Sequence, residues 1–113
     1  CPGLAGRIER GDLAAADLRE MIRGYVGSFA GTVGSVVLGC THYPFVRTQI
    51  AEVLGGDVHF YDGGAGTARQ LRHRLGECGL LADEAHAGSV SFASSEDTPD
   101  ELALYREFFE MEL

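Results

Sequence analysis

Ser35-Val36-Val37-Leu38-Gly39-Cys40-Thr41-His42-Tyr43-Pro44 is the stretch on which the fold turns. Its first four residues are a short, β-branched apolar run of the kind found in buried parallel strands, and Gly39 marks the strand's end. Pro44 suits the first turn of a helix, where its missing N–H costs nothing, and Val46, Ile50, Val53 and Leu54 follow at helical spacing. Strand, tight turn and helix in immediate succession are the unit from which α/β sheets are built.

Upstream, Asp12 follows Gly11 and is placed to cap a helix carrying Leu18, Met21, Ile22, Tyr25, Val26 and Phe29 at three- and four-residue steps. Gly31 and Gly34 end it. Downstream, Gly55-Gly56 stops the helix after Pro44, and Val58-His59-Phe60-Tyr61 reads as a second strand. Gly63-Gly64-Ala65-Gly66 reads as a turn, and Ala68, Leu71, Leu75 and Cys78 as the buried stripe of a further helix that stops at Gly79. Residues 89–93 alternate enough to predict a third strand. Thr98-Pro99-Asp100-Glu101 is a capping-box signature, opening a last helix with Leu102, Tyr105, Phe108, Phe109 and Leu113 on its apolar face.

The resulting order predicts an α/β fold, a parallel sheet joined by right-handed crossovers and flanked by helices. Residues 1–95 form the α/β domain in this reading, and residues 96–113 a closing helix. Ligands of such sheets sit beyond the carboxyl ends of the strands, which directs attention to residues 40–43, 62–66 and 94–97.

Composition narrows the chemistry. The 113 residues hold 9 Arg and no Lys against 17 acidic residues, a net charge of −8 concentrated after Asp83. Such a charge repels nucleic acid. A pyridoxal cofactor needs a lysine for its Schiff base, which this segment does not contain. The three cysteines, Cys1, Cys40 and Cys78, are widely spaced without a CxxC, suggesting neither a disulfide framework nor a zinc site. A reducing cytoplasm is the expected compartment. No apolar run reaches the ~20 residues of a membrane span, and no membrane association is expected. The chain starts at Cys1 and enters a helical pattern almost at once, so it reads as a piece of something longer.

Cys40 stands where a strand gives way to a helix N-terminus, and unpaired backbone N–H groups there favour a thiolate or a bound carboxylate. His42 is close enough to serve as acid, base or hydrogen-bond partner. Taken singly, Cys40 is more often a small core residue, His42 more often structural, and Thr41 satisfied by its own turn. The Gly63–Gly66 run lacks the spacing of a phosphate loop. His59, His73 and His86 read as structural or surface residues, and no spacing suggests a metal site.

Together, Val37-Leu38-Gly39-Cys40-Thr41-His42-Tyr43-Pro44 resembles the second cysteine motif of glutamate racemases. Aspartate and hydantoin racemases of the same superfamily differ beyond the Gly-Cys, so Thr-His-Tyr-Pro points to glutamate. Cys1-Pro2 with Ile8-Glu9-Arg10-Gly11 resembles the family's segment upstream of the motif. Asp62-Gly63-Gly64-Ala65 with Thr67-Ala68-Arg69 resembles the segment downstream, although the family usually has Ser at Gly63 and an acidic residue at Gly66.

The resemblance implies part of a two-domain, pseudo-symmetric fold whose active site lies between halves that contribute one cysteine each. It implies cofactor-independent interconversion of L- and D-glutamate by two bases, supplying D-glutamate for peptidoglycan. Cys40 matches the thiol that deprotonates L-glutamate, and Thr41 and His42 match residues that contact substrate or assist the thiol. Glu9 matches an acidic residue that orients or charges the histidine, and Cys1 a non-catalytic cysteine. In that setting the closing helix packs on the absent upstream half with Phe108 and Phe109 exposed, the segment alone is inactive, and a homodimer is one assembly open to the whole protein. Two rivals remain: a relative that binds a ligand or partner without catalysis, and an enzyme using Cys40 as a covalent nucleophile on an acyl or carbamoyl group.

Overall fold

The computed structural model describes residues 1–83, 85–96 and 98–111. The first of two compact units comprises residues 1–62 with the chain from Glu107 onward, and the second runs from Gly63 to Arg106.

In the first unit, three helices each supply aliphatic side chains one turn apart, as a single buried stripe requires. Helix α1 (Leu4–Ile8) buries Leu4 and Ile8, α2 (Ala16–Val26) buries Leu18 and Ile22, and α3 (Arg47–Leu54) buries Ile50 and Leu54. Leu38 and Val46 complete the core. A 3-10 turn over Gly27–Phe29 extends α2, and another over Tyr43–Val46 carries Pro44 near its start and leads into α3.

Strands β1 (Ser35–Val37) and β2 (His59–Tyr61) pair in parallel with Val36 opposite Phe60. The period of two turns Val36 and Phe60 toward the helical core and leaves Ser35, Val37, His59 and Tyr61 on an exposed face. Backbone bonds from His59 N to Gly34 O (2.9 Å) and from Leu38 N to Tyr61 O (2.7 Å) extend the ladder by one link at each end. The strand–helix–strand unit expected from the decisive stretch is therefore present. Gly55 ends α3 at φ 68°, a left-handed conformation open to glycine at little cost.

Phe108, expected to be exposed, is half-buried and stacks on Phe45 with ring centroids 4.6 Å apart; Phe109 is 63% exposed. Leu113 of the expected apolar face lies outside the described residues.

The second unit contains α4 (Gly64–Glu77) and most of α5 (Pro99–Glu110). Here several expectations are corrected. Residues 89–93 form no strand, and Val90 is 60% exposed. Alternation makes a strand only where a neighbour lies in register to accept its backbone bonds. The glycine run is not a separate turn, because Gly64-Ala65-Gly66 is the first turn of α4, with Thr67 N bonded to Gly63 O. Helix α4 buries none of its residues; Leu71 is 58% exposed and Cys78 is exposed instead of buried. Periodicity marks a face that could be covered and says nothing of what covers it.

The two expected helix caps differ in outcome. Helix α5 has the expected cap, Glu101 N–H donating to Thr98 Oγ1 at 3.3 Å. The Glu101 carboxylate accepts from Ser94 Oγ at 2.8 Å and from the Tyr105 hydroxyl, which lowers its pKa. Asp12 caps nothing. It sits at φ 43° beside Gly11 at φ 72°, reversing the chain, and α2 begins later with Ala15 at its cap.

Among the described residues, no helix is long and apolar enough to cross a membrane, and no group of three or more His, Cys, Asp or Glu is placed to hold a metal ion.

Candidate active site

Beyond β1 the chain buries Leu38, passes Gly39 and emerges at Cys40, whose side chain is half-buried. The Cys40 carbonyl accepts from Tyr43 N–H (3.3 Å) and the His42 carbonyl from Phe45 N–H (3.2 Å), so the backbone turns tightly back on itself. This turn aims the N–H groups of His42 and Tyr43 at the thiol. Hydrogen bonds to the charged form favour it. The Cys40 pKa is lowered from 9.0, first by the His42 backbone N–H, then by the His42 side chain, with burial opposing and Tyr43 N–H adding a smaller effect.

Cys40 Sγ lies 3.7 Å from Nδ1 of His42, and the Thr41 hydroxyl is 3.3 Å from the same nitrogen. On the other side of the ring, Nε2 lies 2.8 Å from Oε1 of Glu9. A carboxylate only accepts, so the proton of neutral His42 resides on Nε2 and Nδ1 is left with a lone pair facing the thiol. Transfer of the thiol proton to Nδ1 then gives a thiolate beside an imidazolium that Glu9 stabilises. The pKa of His42 is raised from 6.5, chiefly by Cys40 and then by Glu9, against a lowering from burial. The two shifts describe one coupled proton.

Glu9 reaches the site from a distant part of the chain. It is the C-terminal cap of α1, its N–H bonded to Ala5 O at 3.0 Å. With side-chain exposures of 29% for His42 and 61% for Glu9, the relay opens to water at its Glu9 end.

Arg7, two residues before Glu9, belongs to no motif of the sequence. It is 7% exposed and makes two bonds to Asp17, Nε to Oδ2 at 2.7 Å and Nη2 to Oδ1 at 2.8 Å. Nη1 also donates to Gly11 O at 3.0 Å. Asp17 is held down at a pKa of about 2 by this guanidinium. The available signal was an arginine one residue before Ile8, on the inward side of a short apolar helix.

The other strand-end segments contribute differently. Asp62 follows β2 and so lies at the same end of the parallel pair as Cys40. Ser94 is bonded to Glu101 in the second unit, and Asp97 lies outside the described residues. His59 is exposed on β2, and His73 pairs with Glu77 on α4 at 3.4 Å. Cys1 is exposed and, like Cys40 and Cys78, a free thiol.

No family model matches the chain. Among curated proteins, it is 48% identical over 98 residues to a glutamate racemase of Pseudomonas putida, a match covering 86% of this chain and 37% of the relative. A glutamate racemase of Herpetosiphon aurantiacus is 40% identical over 114 residues, covering 99% of this chain and 44% of that protein. That of Clostridium perfringens is 35% identical over 112 residues, covering 98% and 43%. The chain thus spans well under half the length of these relatives.

Proposed function

This chain corresponds, over most of its length, to the C-terminal part of glutamate racemases, and on that premise we propose that it supplies one of two thiols that invert the α-carbon of glutamate. The observation that carries the reading is the Cys40–His42–Glu9 relay, a thiol 3.7 Å from an imidazole whose far nitrogen is 2.8 Å from a carboxylate.

Inverting a stereocentre by proton transfer is simplest with a base on one face and an acid on the other. In the proposed reaction the Cys40 thiolate takes the α-proton of L-glutamate, forming an S–H bond as the C–H bond breaks and leaving a planar carbanion. A thiol from the upstream half of the protein then gives its proton to the opposite face. The protein resets as the His42 imidazolium releases a proton to water, Nδ1 then takes the Cys40 proton to restore the thiolate–imidazolium pair, and the partner thiolate takes a proton up. Thr41, exposed beside the thiol, and His42 contact the substrate, and no cofactor takes part. The closing helix, residues 96–113, packs on the upstream half in this reading. The D-glutamate formed enters peptidoglycan, which sets the reaction in the cytoplasm.

The test is polarimetry of L-glutamate with the intact protein and without added pyridoxal cofactor. Rotation should decay to zero with the wild type and persist with Cys40→Ala of unaltered fold. A folded wild type that leaves L-glutamate unchanged would instead favour a relative that only binds its ligand.

A further inference from the structure

We infer that Arg7, held by Asp17, is a positioning residue for the Cys40–His42–Glu9 relay, fixing the backbone reversal from which Glu9 reaches His42. The inference rests on Cys40 being the reacting thiol and extends the site to residues beyond the 39–44 turn.

The need for such a residue follows from the exposure of Glu9. A carboxylate 61% open to solvent gains little from an ion pair by itself, because water competes and ordering the side chain costs entropy. The 2.8 Å contact with His42 therefore depends on where the backbone holds Glu9. Glu9 closes α1, and within three residues the chain turns back through Gly11 (φ 72°) and Asp12 (φ 43°). Consecutive left-handed residues, one of them not glycine, persist when their surroundings hold them.

The Arg7 guanidinium provides that hold from inside the reversal. It donates to the Gly11 carbonyl at 3.0 Å and weakly to the Asp12 carbonyl at 3.5 Å, while both oxygens of Asp17 take the remaining edge of the fork. A planar guanidinium presents these donors in a fixed geometry that an ammonium cannot reproduce. The end of α1, the reversal and the first turn of α2 are thereby tied to one nearly buried group. Loosening it leaves Glu9 free to wander from His42, and the imidazole loses the partner that stabilises its charged form.

The readout is the rate at which Cys40 of the intact protein is alkylated by iodoacetamide, followed by peptide mass spectrometry from mildly acidic to alkaline pH. Asp17→Asn and Arg7→Lys are compared with the wild type, and Glu20→Gln, on the same helix as Asp17, controls for the loss of one negative charge. For Asp17→Asn the profile should move to higher pH, slowing alkylation roughly 3–10-fold near neutrality and leaving the alkaline plateau unchanged. Arg7→Lys should move in the same direction, and serves as the deciding variant if Asp17→Asn does not fold. Folded variants whose profiles overlay the wild type overturn the inference, as does an equal displacement in Glu20→Gln. Alkylation needs no turnover, so a protein that fails to racemise glutamate counts against the proposed function and leaves the alkylation result to decide on Arg7.

Discussion

At Cys40 the lowered thiol pKa follows from two kinds of hydrogen bond, the backbone N–H groups of the turn and the imidazole of His42. Removing the imidazole should leave the first and abolish the second. His42→Asn is expected to slow alkylation of Cys40 several-fold near neutral pH, with wild-type rates recovered in alkali. Rate–pH profiles check this. Glu9→Gln tests the other end of the relay through stability. The folded-state pKa of His42 lies above its ordinary 6.5, so its contribution to stability is fully present below about pH 6.5 and is lost as pH rises through the folded value. The penalty for Glu9→Gln should thus be larger at about pH 5.5 than at about pH 9, as urea midpoints at the two pH values would report. Cys40, Thr41 and His42 were legible as candidates because they lie side by side in a strand-to-helix turn. Glu9, 33 residues away, was singled out only by family resemblance. Arg7 escaped notice because an arginine in a sequence reads as surface, and the carbonyls that draw it inward exist only once the chain has reversed.

Among the elements, the two helix starts show what capping rules capture. At Thr98-Pro99-Asp100-Glu101 the proline holds the first turn in helical geometry, and the threonine accepts the Glu101 N–H. Thr98→Ala should cost about 1 kcal/mol, seen as faster amide hydrogen exchange in the first turn of α5. At Asp12 the preceding glycine permits a left-handed reversal, and the same residue type serves a turn. Strands β1 and β2 were readable because each is an apolar run that pairs with the other. Residues 89–93 carry a comparable pattern without forming a strand, since pairing is a property of two segments and the sequence pattern describes one.

For the molecule as a whole, the buried core belongs to the first unit. Leu18 is fully buried there, whereas Leu71 on α4 is 58% exposed. Leu18→Ala should destabilise by about 2–5 kcal/mol and Leu71→Ala by no more than about 0.5 kcal/mol, measured by denaturant unfolding of the intact protein. The sequence assigned both leucines to buried stripes because both recur at helical spacing, and only the tertiary arrangement distinguishes them. In the proposed reaction Cys40 exchanges a proton with the α-carbon of glutamate. This exchange is tested most directly by proton NMR of L-glutamate with the intact protein in deuterium oxide, alongside chiral separation of the product. The D-isomer formed should carry deuterium at the α-carbon, and both exchange and inversion should vanish in folded Cys40→Ala. D-glutamate that retains its original α-proton, or that forms undiminished in Cys40→Ala, would contradict the proposed reaction.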